Sequence, residues 1–499
     1  MSCASIQGVI DRGAGPDAAS CTGLAEMLTR VGTALDAHAE APPYDTEAYP
    51  GSSWAGALDV ELPVDGWGRD RVVELLTRVV VAHGMPADQG GFCGWIFTAA
   101  PTVPVVAQAV GARVGAQRYM HFANGLLENV ALDWIARAFG LPDDMEGVFT
   151  SGGSVANLLG LMTARQHALD AVGIDASFSG LAHAPPLTIY GSEESHHCVI
   201  KSAAALGVGR ANVRLVPTDA RHRIDVRALA RAIADDRAQG FLPIAVVGAA
   251  GSTNTGAIDP LDALADLCGE ESVWLHVDGA YGLPGVLDDR VRDRFAGIER
   301  ADSVCTDLHK WLNVPTGTGV TYVRPKGLLE RTLTGEPSPY IEGQFAGGRP
   351  RSGWDAMGPP FHEMSLELSA SSRGMVAWAA LAEIGVSGFA DRVRRHRDCA
   401  WLVHEAAREH PRLQSLIEPE LSVACLRYVG QGLAVEDLDA VNAAILARLR
   451  ADGTYAPSGT MVDGVFAIRP CFVSAWSQRE HAVGLVDAII AVGDELCVA

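Results

Sequence analysis

Between residues 187 and 323 the chain repeats one pattern: a short apolar run, a few polar residues, then a helical stretch. The runs are Leu187–Tyr190, Val213–Val216, Ile244–Gly248, Val273–Val277, Ser303–Cys305 and Val320–Val323. Most are rich in Val and Ile with no polar alternation, as strands covered on both faces require. Strands alternating with helices predict an α/β fold around a mostly parallel sheet of six or seven strands.

The flanks read differently. Residues 1–100 form an N-terminal arm and helical segment, with helical patterns at Leu24–Leu35 and Arg69–His83. A third pattern places Leu127, Val130, Ala131, Trp134 and Ile135 on one face, and both of these later helices are expected to pack on a core. The large domain spans 101–385. From 386 to 499 the alternation gives way to a helix carrying Val393, Trp401, Leu402 and His404, and then a strand at Ser422–Tyr428. The stretch Leu438–Leu449, a strand at Gly464–Arg469 and a last helix to Leu496 complete a small α+β domain.

Composition narrows the function classes. With 39 basic and 60 acidic residues the formal charge is −21, and no Lys/Arg block interrupts it, so nucleic acid is not an expected partner. No apolar stretch approaches the roughly 20 residues that span a bilayer, and the first residues lack a secretory pattern. No membrane partner is therefore expected. Ten scattered cysteines without a CxxC pair read as reduced thiols, which predicts a cytoplasmic protein with neither disulfides nor a metal site.

In an open parallel sheet, ligands bind beyond the carboxyl ends of the strands. There the chain places Ser192 to His197, Gly251 to Gly256, Asp278 to Tyr281 and Thr306 to Trp311. Thr150-Ser-Gly-Gly-Ser154 precedes a helical stretch and reads either as a plain N-cap or as a cradle whose backbone N–H groups hold a phosphate. A phosphate site, a buried carboxylate, a histidine beside a ring-sized gap and a lysine together suit pyridoxal phosphate. The lysine would carry the aldehyde, and the carboxylate would keep the pyridine nitrogen protonated as an electron sink.

Five motifs in order carry a resemblance: Thr-Ser-Gly-Gly-Ser at 150–154, Ser192 with His196, Gly-Ser-Thr…Thr-Gly-Ala-Ile-Asp-Pro at 251–260, Leu-His-Val-Asp at 275–278, and Ala-Asp-Ser…His-Lys-Trp-Leu at 301–312. The chain resembles the group II pyridoxal-phosphate amino-acid decarboxylases, from about residue 60 to the C-terminus. The resemblance implies fold type I, an aspartate aminotransferase-like α/β domain with a seven-stranded sheet. It also implies a homodimer with the active site at the subunit interface. It makes Lys310 the Schiff-base lysine, Asp278 the partner of the pyridinium nitrogen, and His196, or its neighbour His197, the residue stacked on the ring. Gly153, Ser154, Asp307 and His309 fall near the phosphate, Thr253 and Ala280 near the ring. Tyr340, in the Gly- and Pro-rich segment Thr334–Pro360, matches the lid tyrosine that protonates Cα, though an ordinary loop aromatic is the other reading. Asp259 is matched as well, and capping the following helix is one reading of it.

Three departures touch the phosphate end and the lid: Val155 stands for the usual Glu, Asp307 for Asn, and Ser369–Arg373 lacks an Arg pair. An acid near a phosphate is unfavourable unless neutralised. For substrate, the resemblance places Trp95, Phe97 and Thr98 along the pocket, with Phe92, His121 and Phe122 nearby. The nearby arginines, Arg113 and Arg118, read as surface residues. The expectation is α-decarboxylation of a neutral, aromatic or aliphatic L-amino acid. Transamination, β-elimination, oxidative deamination or cofactor binding without turnover are the alternatives.

Overall fold

The Val/Ile-rich runs do form the central sheet. The structure, a computed structural model, describes residues 23–39, 54–59, 61–62, 66–116, 121–334, 361–430 and 433–498. In chain order its strands are β1 (Phe92–Cys93), β2 (Glu146–Thr150), β3 (Leu187–Ser192), β4 (Val213–Val216), β5 (Leu242–Ala249) and β6 (Trp274–Asp278). They continue with β7 (Ser303–Asp307), β8 (Gly319–Val323), β9 (Leu413–Ser415), β10 (Leu426–Tyr428), β11 (Ala456–Val462) and β12 (Val465–Arg469).

Seven strands pair in the order β2-β8-β7-β6-β5-β3-β4. Only β8 runs antiparallel to its neighbours; the other pairs are parallel. Successive side chains sort to opposite faces. Val148, Ile189 and Val247 pack with Leu159 and Leu161 of the helix Gly153–Asp170. Phe149, Tyr190 and Val246 pack on the other face with Leu229, Ile233 and Leu264 from the helices Val226–Ala238 and Leu261–Glu271. Covering both faces leaves no room for polar alternation, which is why these strands read as continuous apolar runs.

The second sheet has the order β1-β11-β12-β10-β9 and is antiparallel except where β1 lies parallel to β11. A segment that precedes the large sheet thus completes a sheet made otherwise of C-terminal residues. The helix Arg373–Glu409 links the two cores. Val376 to Val393 contribute to the core under the large sheet and Cys399 to Ala407 to that of the small one. It kinks at Gly385, whose φ of 64° lies in the left-handed region that favours glycine.

Two expectations about helices are corrected. The Arg69–His83 pattern becomes a helix Gly68–Leu75 followed by a π turn Leu76–Val80, and of these residues only Leu75 is buried. Val72, Leu76 and Val80 remain exposed. What this helix meets is the arm helix Leu24–Ala39, through the ion pair Arg30–Asp70 at 2.5 Å, rather than the core. In the helix Phe122–Ala138, Ala131 and Ile135 are buried as expected, but the buried face is shifted to include Asn124, Gly125, Glu128 and Leu132. Gly374 of the neighbouring helix presses against Glu128, and Trp134 is left 37% exposed, stacked on Trp378.

Among the described residues no helix is long and apolar enough to cross a membrane. The same residues contain no cluster of three metal-ligating side chains.

Candidate active site

Five strands of the large sheet that run in the same direction end at one cavity of about 370 Å³. After β2, the turn Ser151–Gly152 opens the helix Gly153–Asp170; Gly152 has φ 138°, out of reach of most side chains. A Cβ on Gly153 would stand 2.6 Å from Asp307 Oδ2 and 3.1 Å from Ala280 Cβ, so glycine is needed for this close approach. After β3 come Glu194, His196 and Cys198; after β5 come Gly251, Ser252 and Thr253; β6 ends in Asp278 and β7 in Asp307. His309 and Lys310 follow on the turn after β7.

Lys310 Nζ stands 3.1 Å from Asp307 Oδ2. Burial pulls the Lys310 ammonium down, but Asp307 and Asp278 outweigh it and raise its pKa. Asp278 Oδ1 accepts a bond from Ala280 N (3.1 Å) and from the Cys305 thiol (3.4 Å). Burial alone would raise Asp278; the Lys310 cation, the Ala280 N–H, His276 and His196 hold it below the usual carboxylate range. An ionised carboxylate is therefore kept in a buried place. His196 is pushed down, chiefly by burial, so it faces the cavity as a neutral imidazole near neutral pH.

Behind Asp278 runs a buried chain of donors. Trp274 Nε1 donates to Ser303 Oγ (2.8 Å), leaving the Ser303 hydroxyl to donate to His276 Nδ1 (2.7 Å). His276 Nε2 then donates to Asn157 Oδ1 (3.0 Å), the tautomer being assigned from these partners. Asn157 Nδ2 donates to Gly153 O (2.8 Å) and lies 3.3 Å from Cys305 Sγ, whose thiol points to Asp278. The helix that offers its N-terminus and the carboxylate that would meet a ring nitrogen are thus fixed relative to each other. His276 is fully buried and its pKa is pushed down to about 4, mainly by burial.

Gly153, Ser154, His196, Thr253, Asp278, Ala280, Asp307, His309 and Lys310 all line this cavity. His197 does not; it lines only an adjoining cavity of about 310 Å³, which shares Glu194, His196 and Thr253 with the first. Trp95 also lines the second cavity, whereas Phe97 and Thr98 line neither. Phe97 packs edge-on against the buried Phe92, and Thr98 is buried with its hydroxyl on Ala99 O. Trp95 takes φ 52° just after β1, in the left-handed region, and the chain turns there. Tyr340 and Arg118 lie outside the described residues. Asp259 does not cap the following helix; its carboxylate accepts Ala249 N and Ile224 N, both at 2.7 Å, and ties the end of β5 to a loop. Arg373, at the third departure, is spent on a bidentate pair with Glu367.

The second cavity also holds an arginine that the sequence reading missed. Arg469, the last residue of β12, is 5% exposed. It donates to Asn254 O (2.7 Å), Trp95 O (3.4 Å), Ser458 Oγ (3.2 Å) and Thr253 O. Glu194 faces the same space, its carboxyl raised chiefly by burial and one oxygen without a hydrogen-bond partner among the described residues. The available signal was the carboxyl end of a recognised small-domain strand.

The arrangement suits a phosphorylated aromatic aldehyde with a protonatable ring nitrogen. The Gly152–Gly153 turn is a cradle that a Cβ would fill, Asp278 is an ionised carboxylate, and Lys310 is an amine on the same cavity.

Comparisons with known proteins agree with that chemistry. The family model described as pyridoxal-dependent decarboxylase conserved domain matches residues 118–429. An aromatic-L-amino-acid decarboxylase of Bacillus atrophaeus is 30% identical over 374 residues, covering 75% of this chain and 74% of that protein. Cysteine sulfinic acid decarboxylase of Rattus norvegicus is 31% identical over 287 residues, 57% of each. Among solved structures, Oryza sativa TDC with PLP and tryptamine superposes with a TM-score of 0.85 at 23% identity, over 97% of this chain and 99% of that one.

Proposed function

The chain belongs to the pyridoxal-dependent decarboxylase family, and from that premise we propose how its own residues divide the work of removing the α-carboxylate of an amino acid. Its fold is that of the fold-type I enzymes, its cofactor is pyridoxal phosphate, and its reaction is α-decarboxylation of an amino acid to the amine and carbon dioxide. When bound, the cofactor supplies an aldehyde that couples to amines and a protonated ring that draws off the electron pair left as carbon dioxide departs.

Lys310 Nζ anchors that aldehyde. Asp278 would hold a proton on the ring nitrogen, and its place at the end of β6, on one cavity with Lys310 and with the Ala280 N–H and the Cys305 thiol donating to it, is the observation that carries this reading, since a neutral acid there would leave the ring a poor sink. Ala280 would pack against the ring, and His196, neutral and on the same cavity, would stack on it and meet the substrate carboxylate. Gly153, Ser154 and His309 take the phosphate, with Thr253 beside the ring. Tyr340 donates the proton that replaces the carboxylate at Cα; this role comes from its place in the sequence alone.

The substrate is a neutral L-amino acid, aromatic or aliphatic. Arg469 lines the second cavity with Glu193 and Glu194, and four of its contacts already go to three carbonyls and a hydroxyl, which leaves it poorly placed to select an acidic side chain. Trp95 adds an aromatic residue to the same lining, which suits a neutral side chain. The working form is a homodimer with the active site near the interface, a reading supported by Val103, Val106, Val110, Phe122 and Leu126, which stand exposed on two adjacent stretches of helix. A cytoplasmic location fits the eight described cysteines, all free thiols.

The test is to incubate the cofactor-loaded protein with pooled L-amino acids and follow carbon dioxide release with mass-spectrometric detection of new amines. A matched amine and carbon dioxide signal from a neutral amino acid is the expected result. An acidic or basic substrate would overturn the assignment of the second cavity, and keto acid or aldehyde in place of amine would overturn the role given to Tyr340.

A further inference from the structure

The anion that meets the Gly152–Gly153 turn in this chain is one of its own. Asp307 ends β7 and is 3% exposed. Built Cβ atoms on Gly153 and Gly319 would stand 2.6 and 2.7 Å from its two oxygens, and one on Gly152 3.8 Å from Oδ1. The carboxylate therefore lies against the backbone that opens the helix Gly153–Asp170, where unpaired N–H groups and the helix dipole favour negative charge. Gly152, the N-cap, supplies no side-chain bond of its own.

The two oxygens differ. Oδ2 is paired with Lys310 Nζ at 3.1 Å. Oδ1 is buried with no hydrogen-bond partner among the described residues; His309 Nδ1 stays 3.9 Å away and is engaged with Thr318 O at 3.1 Å. Leaving a buried carboxylate oxygen without a donor is costly. The other charged and titratable groups around it are Asp278 on β6, His196 and Cys198 after β3, and Cys305 on β7, none of which adds a fixed cation. Among the described residues Lys310 alone neutralises Asp307, and Lys310 is the amine consumed when the cofactor is anchored.

We infer that Asp307 is a built-in competitor for the cofactor's phosphate: its carboxylate occupies the edge of the phosphate cradle, stabilises the unloaded chain by pairing with Lys310, and weakens the hold on a phosphorylated ligand. This rests on the reading of Ser151–Ser154 as the phosphate cradle. It predicts opposite signs for one substitution. Asp307→Asn keeps the shape, removes the charge, loosens the unloaded chain and tightens phosphate binding, whereas loss of a merely structural residue would weaken both.

The experiment strips the full chain of cofactor and titrates it with pyridoxamine 5′-phosphate and with pyridoxamine, neither of which bonds to Lys310, following tryptophan fluorescence. The ratio of the two Kd values isolates the phosphate. In Asp307→Asn the preference for the phosphorylated form should rise by about tenfold or more, given two like charges a few ångströms apart, while the Tm of the unloaded variant falls below that of the parent. Asp307→Ser removes the charge through a different side chain and gives the same reading if the Asn variant does not fold. An unchanged or smaller preference, with both proteins still favouring the phosphorylated ligand, overturns the competitor role. If neither protein prefers the phosphorylated ligand, the cradle reading fails first, and the inference with it.

Discussion

Lys310 and Asp278 show what a single residue carries here. Asp278 ends β6 and Lys310 follows β7, each faces one cavity, and the Lys310 cation helps hold Asp278 ionised while Asp307 and Asp278 together raise Lys310. Lys310→Ala should abolish the visible absorbance of lysine-bound cofactor and any borohydride-stable cofactor attachment; a band that survives in that variant would remove Lys310 from its role. The buried histidines set a second prediction. His276 and His396 are both pushed below the ordinary histidine value by burial, His276 to about 4, so folding favours their neutral forms. Their contribution is whole above about pH 6.5 and is lost as pH falls toward 4, because the unfolded chain then binds protons that the folded chain refuses. Asp259, pushed up to about 7 by burial, works in the opposite direction over the same range, so the check is a difference: between pH 7 and 4.5 the urea midpoint of the parent should fall relative to that of His276→Gln. Lys310, Asp278 and His196, which the structure brings to one cavity, were legible because they follow recognisable strands. Asn157 and Arg469 were not, because what makes them matter is contact with residues far away in the chain, Asn157 with His276 and Cys305, Arg469 with Trp95 and Asn254.

Among the elements, the helix Gly153–Asp170 does most to shape the site, since its first residues meet Asp307 and Ala280 while its length covers the large sheet. Gly153→Ala would force a Cβ to within 2.6 Å of Asp307 Oδ2, so the turn must shift. The expected outcome is a loss in pyridoxamine 5′-phosphate affinity of about tenfold or more with the fold retained, read by the same fluorescence titration and by circular dichroism. β3, β5, β6 and β7 were plain in the sequence because burial on both faces demands unbroken apolar runs, whereas β2, Glu-Gly-Val-Phe-Thr, was not among the runs read. β11 was not, since Ala-Pro-Ser-Gly-Thr-Met-Val shows neither an apolar run nor alternation. Its register comes from the two-residue turn Asp463–Gly464, both at positive φ, which joins it to β12. Asp-Gly between two strands is a hairpin signal of known mechanism, and it was present to be read.

At the scale of the whole molecule, the exposed apolar residues on the helices Thr102–Val114 and Phe122–Ala138 are a surface in need of cover. A second copy of the chain supplies it in the homodimer proposed above. Replacing Val106 and Leu126 together by Glu should convert the dimer to a monomer in light scattering after gel filtration, because an interface of standard size does not tolerate buried unpaired charge. A parent protein that is monomeric at micromolar concentration would sink the proposal.

The parallel pairing of β1 with β11, Phe92 beside Ala456 and Cys93 beside Pro457, sets a timetable for the cell. A ribosome that has just released Phe92 must add most of the protein before the partner strand exists. The arginine that reaches Trp95 comes later still, as the last residue of β12. The large sheet can assemble while translation proceeds, but the cavity beside Trp95 has no second wall until synthesis is nearly over. Messages truncated late should therefore yield chains that fold in part, expose an unpaired strand, and are cleared by quality control rather than accumulating as sluggish enzymes.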